Sequence, residues 1–231
     1  MKQKLVLVPG VAGDERLWQF QSRHLADMAD IVVPNLKGCG SRKEMANEVL
    51  SCVDGAFALA GVSMGGWVGF TVATEAPERV SKFAAICTWA RPKPKVQEEQ
   101  EGILEYIKAG HFKEFMESYV DYAIGHAKRN DPVFVDFINE STQDVDEAEM
   151  IRHLSAYLAE FDSQDLLPRI KCPTLVIAGS DDAIFGVEEH EYIASNIKGA
   201  RLAIIDDCGH HVPFEQPAAL STLLRYWLMY F

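Results

Sequence analysis

Three short stretches of this chain hold side chains whose types and spacing suit nucleophilic catalysis. They are Gly61-Val62-Ser63-Met64-Gly65-Gly66, Gly179-Ser180-Asp181-Asp182 and Asp206-Asp207-Cys208-Gly209-His210-His211. A serine hydroxyl is a weak nucleophile near neutral pH. It needs a base to take its proton, and the base needs an acid to hold its tautomer and stabilise its cation. The three stretches supply hydroxyl, carboxylate and imidazole in that order. A metal site built on Cys208, His210 and His211 would need a matched ligand pair elsewhere, and the spacing supplies none. No metal and no cofactor are expected.

Each stretch needs an element to position it. Phe57 to Val62 is apolar and uncharged and reads as a buried strand. Trp67, Val68, Phe70, Val72 and Ala73 lie among small residues in a helical run that stops at Pro77. Gly-x-Ser-x-Gly between a strand and a helix is the pattern of a nucleophile elbow. A serine at the point of so sharp a turn has a strained backbone, and a Cβ two residues to either side would clash with it. The turn leaves the hydroxyl at a helix N-terminus, where backbone N–H groups are free to meet an anion. Alone, those five residues read equally well as a glycine-rich turn entering a helix. The carboxylates and histidines further along favour the chemical reading.

The remaining elements alternate. Lys4 to Val8 reads as a strand, followed by a loop over Pro9-Gly10-Val11-Ala12-Gly13. Asp14 is placed to cap a helix carrying Leu17, Trp18, Phe20, Leu25 and Met28. A strand over Asp30–Pro34 with the β-branched run Ile31-Val32-Val33, a glycine-bearing loop and a helix over Arg42–Val53 follow, and beyond the elbow a strand at about Lys82–Thr88. Strands alternating with helices predict a parallel sheet covered on both faces. From Arg91 to about Leu167 the rhythm breaks, and helices are expected at Gln97–Lys108, Phe112–Ile124, Pro132–Ile138 and Glu147–Phe161. The strand-helix rhythm resumes with Thr174–Ala178, Glu188–Ile197, Arg201–Ile205 and Gln216–Phe231. In such sheets reactive groups gather outside the carboxyl ends of the strands, where Ser63, the Asp181-Asp182 pair and the His210-His211 pair all fall.

The composition narrows the partners. The 231 residues carry a net charge of −12, which disfavours nucleic acid and anionic membrane surfaces. No apolar stretch approaches membrane-spanning length. Lys2 and Lys4 precede only Leu5–Val8, too short a run for a secretory signal. The five cysteines, Cys39, Cys52, Cys87, Cys172 and Cys208, are odd in number and irregular in spacing. They read as reduced thiols of a cytoplasmic protein. Nothing in the sequence specifies an oligomeric state.

Taken together, these stretches resemble the α/β-hydrolase fold family from about residue 4 to the end. The carriers are Gly61–Gly66, Ala76-Pro77-Glu78-Arg79-Val80, the run Pro173–Asp182, and Gly209-His210 with Glu215 and Pro217 behind it. The resemblance implies an α/β fold with about six mainly parallel strands, helices on both faces and a helical cap. The core would span 1–90 and 168–231 and the cap 91–167. It also implies Ser63 as nucleophile, His210 as base because it directly follows a glycine, and Asp182 rather than Asp181 as acid. Backbone N–H groups of Met64 and Val11 would form the oxyanion hole. The chain departs from the common pattern at Pro9, where relatives carry histidine, at Asn35, where many carry Asp, and in lacking extra N-terminal strands.

Phe115, Tyr119 and Phe137 are candidates for the roof of a pocket, Trp67, Trp89 and Phe185 for its walls, and His211 for its rim. The implied activity is that of a serine hydrolase acting on a small ester or thioester through an acyl-enzyme. The alternatives are a slow-turnover small-molecule receptor, or a carbon–carbon bond hydrolase or lyase using the same site. Of the 34 Asp and Glu residues, 17 lie between Arg91 and Ile170, which predicts a preference for neutral substrates. Arg16, Arg42 and Arg91 are the candidates for a compensating local cation.

Overall fold

A computed structural model describes residues 2–231. Six strands form one sheet: β1 (Gln3–Val8), β2 (Ala29–Val32), β3 (Phe57–Val62), β4 (Val80–Ile86), β5 (Thr174–Gly179) and β6 (Arg201–Ile205). Their spatial order is β2-β1-β3-β4-β5-β6, and every neighbouring pair is parallel. The expected alternating architecture is therefore present.

Strand periodicity divides the core between the two faces. Val6 and Val8 of β1 pack on one side with Leu59 of β3 and the helices α2 (Arg42–Ser51), α3 (Met64–Glu75) and α9 (Val187–Asn196). Leu5 and Leu7 pack on the other with Ala58 and Ala60 and the helices α1 (Gln19–Leu25), α10 (Val212–Glu215) and α11 (Pro217–Tyr230). Both faces being covered, β3 and β5 are buried at every position.

Between β4 and β5 the chain is helical: α4 (Pro94–Tyr106), α5 (Phe112–Ala123), α6 (His126–Arg129), α7 (Pro132–Thr142) and α8 (Glu147–Ala159). A wide turn over Ile107–His111 joins α4 to α5, with Gly110 at φ +94° supplying the left-handed bend. Leu104, Ile107, Phe115, Met150 and Leu154 join the core on the α3 face, so this segment shares a core with the sheet. Among the described residues no helix is long and apolar enough to cross a membrane.

Several boundaries differ from those read in the sequence. Strand β4 starts at Val80 and ends at Ile86, two residues earlier than expected. Lys82 made its first half look polar. In the fold its stem is buried and its ammonium donates to the Trp227 and Leu228 carbonyls near the end of α11. Strand β2 likewise starts at Ala29, ahead of its β-branched run. Helix α4 begins at Pro94, proline occupying the first turn where its missing N–H costs nothing. The expected first helix is a short, tight turn capped by Asp14, then α1, and it stops at Leu25 rather than reaching Met28.

Candidate active site

The site is assembled at the carboxyl ends of β3, β5 and β6. Ser63 sits between β3 and α3 at φ +54°, ψ −121°, a conformation rarely tolerated by a residue with a Cβ. The surroundings over-determine it. Ser63 N–H donates to the Ile86 carbonyl at 2.9 Å, and the Ser63 carbonyl accepts from Gly66 N–H and from Thr88 Oγ1. The glycines are there for close approach. A Cβ on Gly61 would lie 2.2 Å from the Gly65 carbonyl oxygen, and one on Gly65 would lie 2.3 Å from that of Val8.

His210 lies between Ser63 and Asp182. Its Nε2 is 3.0 Å from Ser63 Oγ and its Nδ1 is 2.9 Å from Asp182 Oδ2. The second carboxylate oxygen of Asp182 accepts from the Ile184 and Phe185 N–H groups, each at 3.0 Å. Burial pushes the Asp182 carboxyl up, but the His210 ring and the Phe185 N–H outweigh it and hold it below the usual carboxylate range. Asp181 instead accepts from the Ser180 hydroxyl. His211 turns away, stacked on Phe214 and hydrogen-bonded through Nε2 to the Tyr119 hydroxyl. Burial drives its basicity down to about 3, so its ring is neutral.

A buried acid organises the histidine loop. Glu215 accepts from the backbone N–H groups of Gly125, Gly209 and His211 at 2.8–2.9 Å, and His210 N–H donates to the Ala123 carbonyl at 3.0 Å. The end of α5 is thereby bonded to the loop that carries His210. Gly125 and Gly209 meet backbone to backbone, since a Cβ on Gly209 would lie 2.3 Å from Gly125 N.

A second tie reaches the loop after β1. Ala12 N–H donates to His153 Nδ1 of α8 at 3.1 Å, while His153 Nε2 lies 3.2 Å from the Leu36 carbonyl and 2.8 Å from Glu149 Oε1. Burial pushes the His153 ring below the usual histidine range. A neutral ring that accepts at Nδ1 carries its proton on Nε2 and donates it there. Glu149 also accepts from Gly38 N–H at 3.0 Å, so α8 holds the loops after both β1 and β2. Sequence reading passed over His153, because a histidine on the inner face of a helix looks like ordinary core and its partner is 141 residues away.

These groups open onto a cavity with about 1070 Å³ of atom-free space, its open mouth included. Val11, Trp89, Phe115, Tyr119, Phe185 and His211, all expected near the pocket, line it together with Ser63 and His210. Met64 begins α3, where its N–H has no acceptor within the helix. Trp67 does not reach the cavity. Four residues into α3 it points into the core beneath Trp89, with ring centroids 5.9 Å apart and its indole N–H donated to the Glu160 carbonyl. Phe137 also lies elsewhere, packed against Phe20, Phe134 and Phe214.

The expected cations are all compensated. Arg16, at the cavity wall, pairs with Asp14 at 2.8 Å and with Asp144, Arg42 pairs with Glu160, and Arg91 pairs with Glu189. Cys87, Asp182 and His210 offer donor atoms within 4.8 Å of one another. The imidazole nitrogens and carboxylate oxygens are already engaged, and burial pushes the Cys87 thiol far from the thiolate a metal needs. The arrangement is suited to removing a proton from Ser63, with an imidazole oriented by a carboxylate and an apolar chamber beside it.

Comparison with known proteins gives this geometry its relatives. A sequence model described as the alpha/beta hydrolase family matches residues 5–223. The chain is 26% identical to “Putative carbamate hydrolase RutD” of Azorhizobium caulinodans, over 95% of this chain and 89% of that protein. It is 22% identical to monoacylglycerol lipase abhd6-A of Xenopus laevis, over 98% of this chain and 75% of that one. Among solved structures, a thermophilic esterase from Thermogutta terrifontis superposes with a TM-score of 0.86 at 27% identity, covering 99% of this chain and 90% of that chain.

Proposed function

The chain belongs to the alpha/beta hydrolase family, and on that premise we propose that it is a serine hydrolase cleaving small, neutral carboxylic esters or thioesters. One observation carries the reading. Ser63 Oγ, the His210 ring and the Asp182 carboxylate are linked by hydrogen bonds of 3.0 and 2.9 Å at the wall of an apolar cavity. In the proposed reaction Ser63 attacks the substrate carbonyl as His210 takes its proton. Asp182 steadies the resulting imidazolium, and the N–H groups of Met64 and Val11 receive the oxyanion. His210 then returns the proton to the leaving group. Water, activated by the same ring, frees the acyl group from Ser63.

Neutral substrates follow from the lining. Apart from histidine, its charged side chains are Asp14 and Arg16, which pair with each other. The names of the relatives set the breadth of the first screen: esters, monoacylglycerols and carbamates. The test is a panel of p-nitrophenyl esters, thioesters, carbamates and aminoacyl amides, run beside active-site labelling with a fluorophosphonate. Ester or thioester turnover with multiple cycles is expected, and both turnover and labelling should vanish in Ser63→Ala. Labelling that persists in that variant would remove Ser63 from its proposed role. Single-cycle behaviour on every substrate would favour a slow receptor.

A further inference from the structure

The wall of the cavity holds a polar cluster that the proposed reaction does not use. Gln100 of α4, Tyr122 of α5 and Tyr157 of α8 all line the cavity. Tyr157 O–H donates to the Gln100 carboxamide oxygen, and the Gln100 amide N–H donates to the Tyr122 oxygen. Gln100 and Tyr157 are buried at 6% and 3% exposure.

Counting protons leaves one over. In this arrangement the amide oxygen takes the Tyr157 proton and the Tyr122 oxygen takes an amide proton. The Tyr122 proton then has no acceptor among the described residues. Turning the carboxamide over exchanges the two roles, so that Tyr122 donates to the amide oxygen and the Tyr157 proton is left. One phenolic O–H is unmatched either way. Ionisation does not remove it, because burial pushes both phenols above the usual tyrosine range. Tyr157 is buried and Tyr122 is half-buried, and both line the cavity, so the unmatched O–H finds its acceptor among the cavity's contents, where an occupant's oxygen can supply it.

The cluster is set apart from the reacting centre by aromatic rings. Phe185 lies 5.7 Å from the His210 ring, Trp89 lies 4.8 Å beyond it, and Tyr157 is 4.9 Å from Trp89, centroid to centroid. An acyl chain reaching from Ser63 to the cluster would cross this apolar strip. Burial pushes the Tyr122 hydroxyl up and the Glu99 carboxylate adds to it, a neighbouring negative charge that counts against an anionic acceptor.

We propose that Gln100, Tyr122 and Tyr157 form a subsite that donates a hydrogen bond to a neutral oxygen on the substrate, separated from the scissile carbonyl by an apolar spacer. This rests on the serine hydrolase reading and narrows it to oxo-, hydroxy- or alkoxy-substituted esters over plain alkyl ones.

The experiment compares p-nitrophenyl octanoate with its mono-oxo analogues, the ketone moved along the chain. The readouts are kcat/KM for the wild type and calorimetric binding to Ser63→Ala. One neutral hydrogen bond predicts a preference of about tenfold for the best oxo ester. The double variant Tyr122→Phe/Tyr157→Phe, its fold checked by thermal unfolding, should bring the ratio close to unity. Equal binding and turnover of the two esters by the wild type would overturn the subsite whatever the variant does. So would a preference that survives in a folded double variant. Binding to Ser63→Ala needs no turnover, so an absence of hydrolysis would strike the catalytic reading while leaving the subsite separately measured.

Discussion

Replacing His153 tests whether a residue outside the reacting centre sets the oxyanion geometry. The His153 Nδ1 is the acceptor for Ala12 N–H at 3.1 Å, next in the chain to Val11, whose N–H is proposed to face the oxyanion. Ala12 itself has φ +50°, so the loop is held in a conformation it would leave if released. His153→Asn can present an amide oxygen near the Nδ1 position and keep that bond, losing the contact with the Leu36 carbonyl. His153→Gln can reach Leu36 but strands Ala12 N–H. Each variant leaves one buried polar group unmatched, at about 1–3 kcal/mol. At roughly 2–4 °C per kcal/mol for a domain of this size, both should melt at similarly lowered temperatures. Their kinetics should part. Losing an oxyanion donor altogether costs about 10²–10³ in kcat. The loop retains its Gly13 N–H to Gly10 carbonyl turn at 3.1 Å, so displacement is partial, and about 10- to 100-fold is expected for His153→Gln. KM should hardly move, since the contact forms in the transition state. Steady-state kinetics on one p-nitrophenyl ester, with a melting curve for each protein, suffice. Wild-type kcat in His153→Gln, or equal damage in both variants, would refute the reasoning.

The acid assignment predicts that Asp182→Asn lowers kcat by up to about 10⁴, while Asp181→Asn, whose carboxylate accepts from the Ser180 hydroxyl and not from His210, stays near wild type. The reverse ranking in kcat would move the role one residue back. Three histidines, His153, His190 and His211, have rings that burial makes harder to protonate in the folded state. The unfolded chain then binds more protons below pH of about 6.5, and folding stability should fall with acidification by up to about 1.4 kcal/mol per pH unit for each ring. The Glu215 carboxyl, pushed up by burial, acts in the opposite sense, one group against three. Urea midpoints should therefore be lower at pH 5 than at pH 7, and a rise would contradict the neutral-ring reading. Finally, of two esters differing only in a terminal carboxylate, the neutral one should have the higher kcat/KM. A preference for the anion that fades with salt would reveal a cation not accounted for by the Asp14–Arg16 pair.

The centre of the sheet was legible because its strands are buried on both faces and read as uninterrupted apolar runs, β3 to the residue; β6, a largely exposed edge strand, was read from its short apolar run after Arg201. Ser63, Asp182 and His210 were legible as candidates because each lies in the loop that follows a strand, and strand ends in such a sheet converge. Three kinds of feature stayed hidden. The first is long-range pairing. Nothing near His153 announces Ala12, and nothing near Glu215 announces Gly125. The second is direction. Trp67 is adjacent to the elbow in sequence, but four residues along α3 the side chain points into the core against Trp89, Glu160 and Arg42, not into the cavity. The third is a polar side chain whose charge is disposed of elsewhere, as with Lys82 on the α11 carbonyls, which blurred the start of β4.

The helices over the site are riveted to it at two places. Ala123 and Gly125 are bonded to the His210 loop through backbone and Glu215, and α8 is bonded to the Ala12 and Gly38 loops through His153 and Glu149. Such a covering is a strut rather than a hinged door, because raising it would carry the backbone of His210 and the Ala12 loop along. Tolerance to change is thus unevenly distributed. Between the rivets, α6 and the exposed start of α7 around Val133 can take on new lengths and sequences, whereas a one-residue insertion at Gly125 or within α8 would be felt at the serine. Laboratory diversification aimed at new substrates therefore has a natural window near Asn130, bounded on both sides by segments bonded to the candidate site.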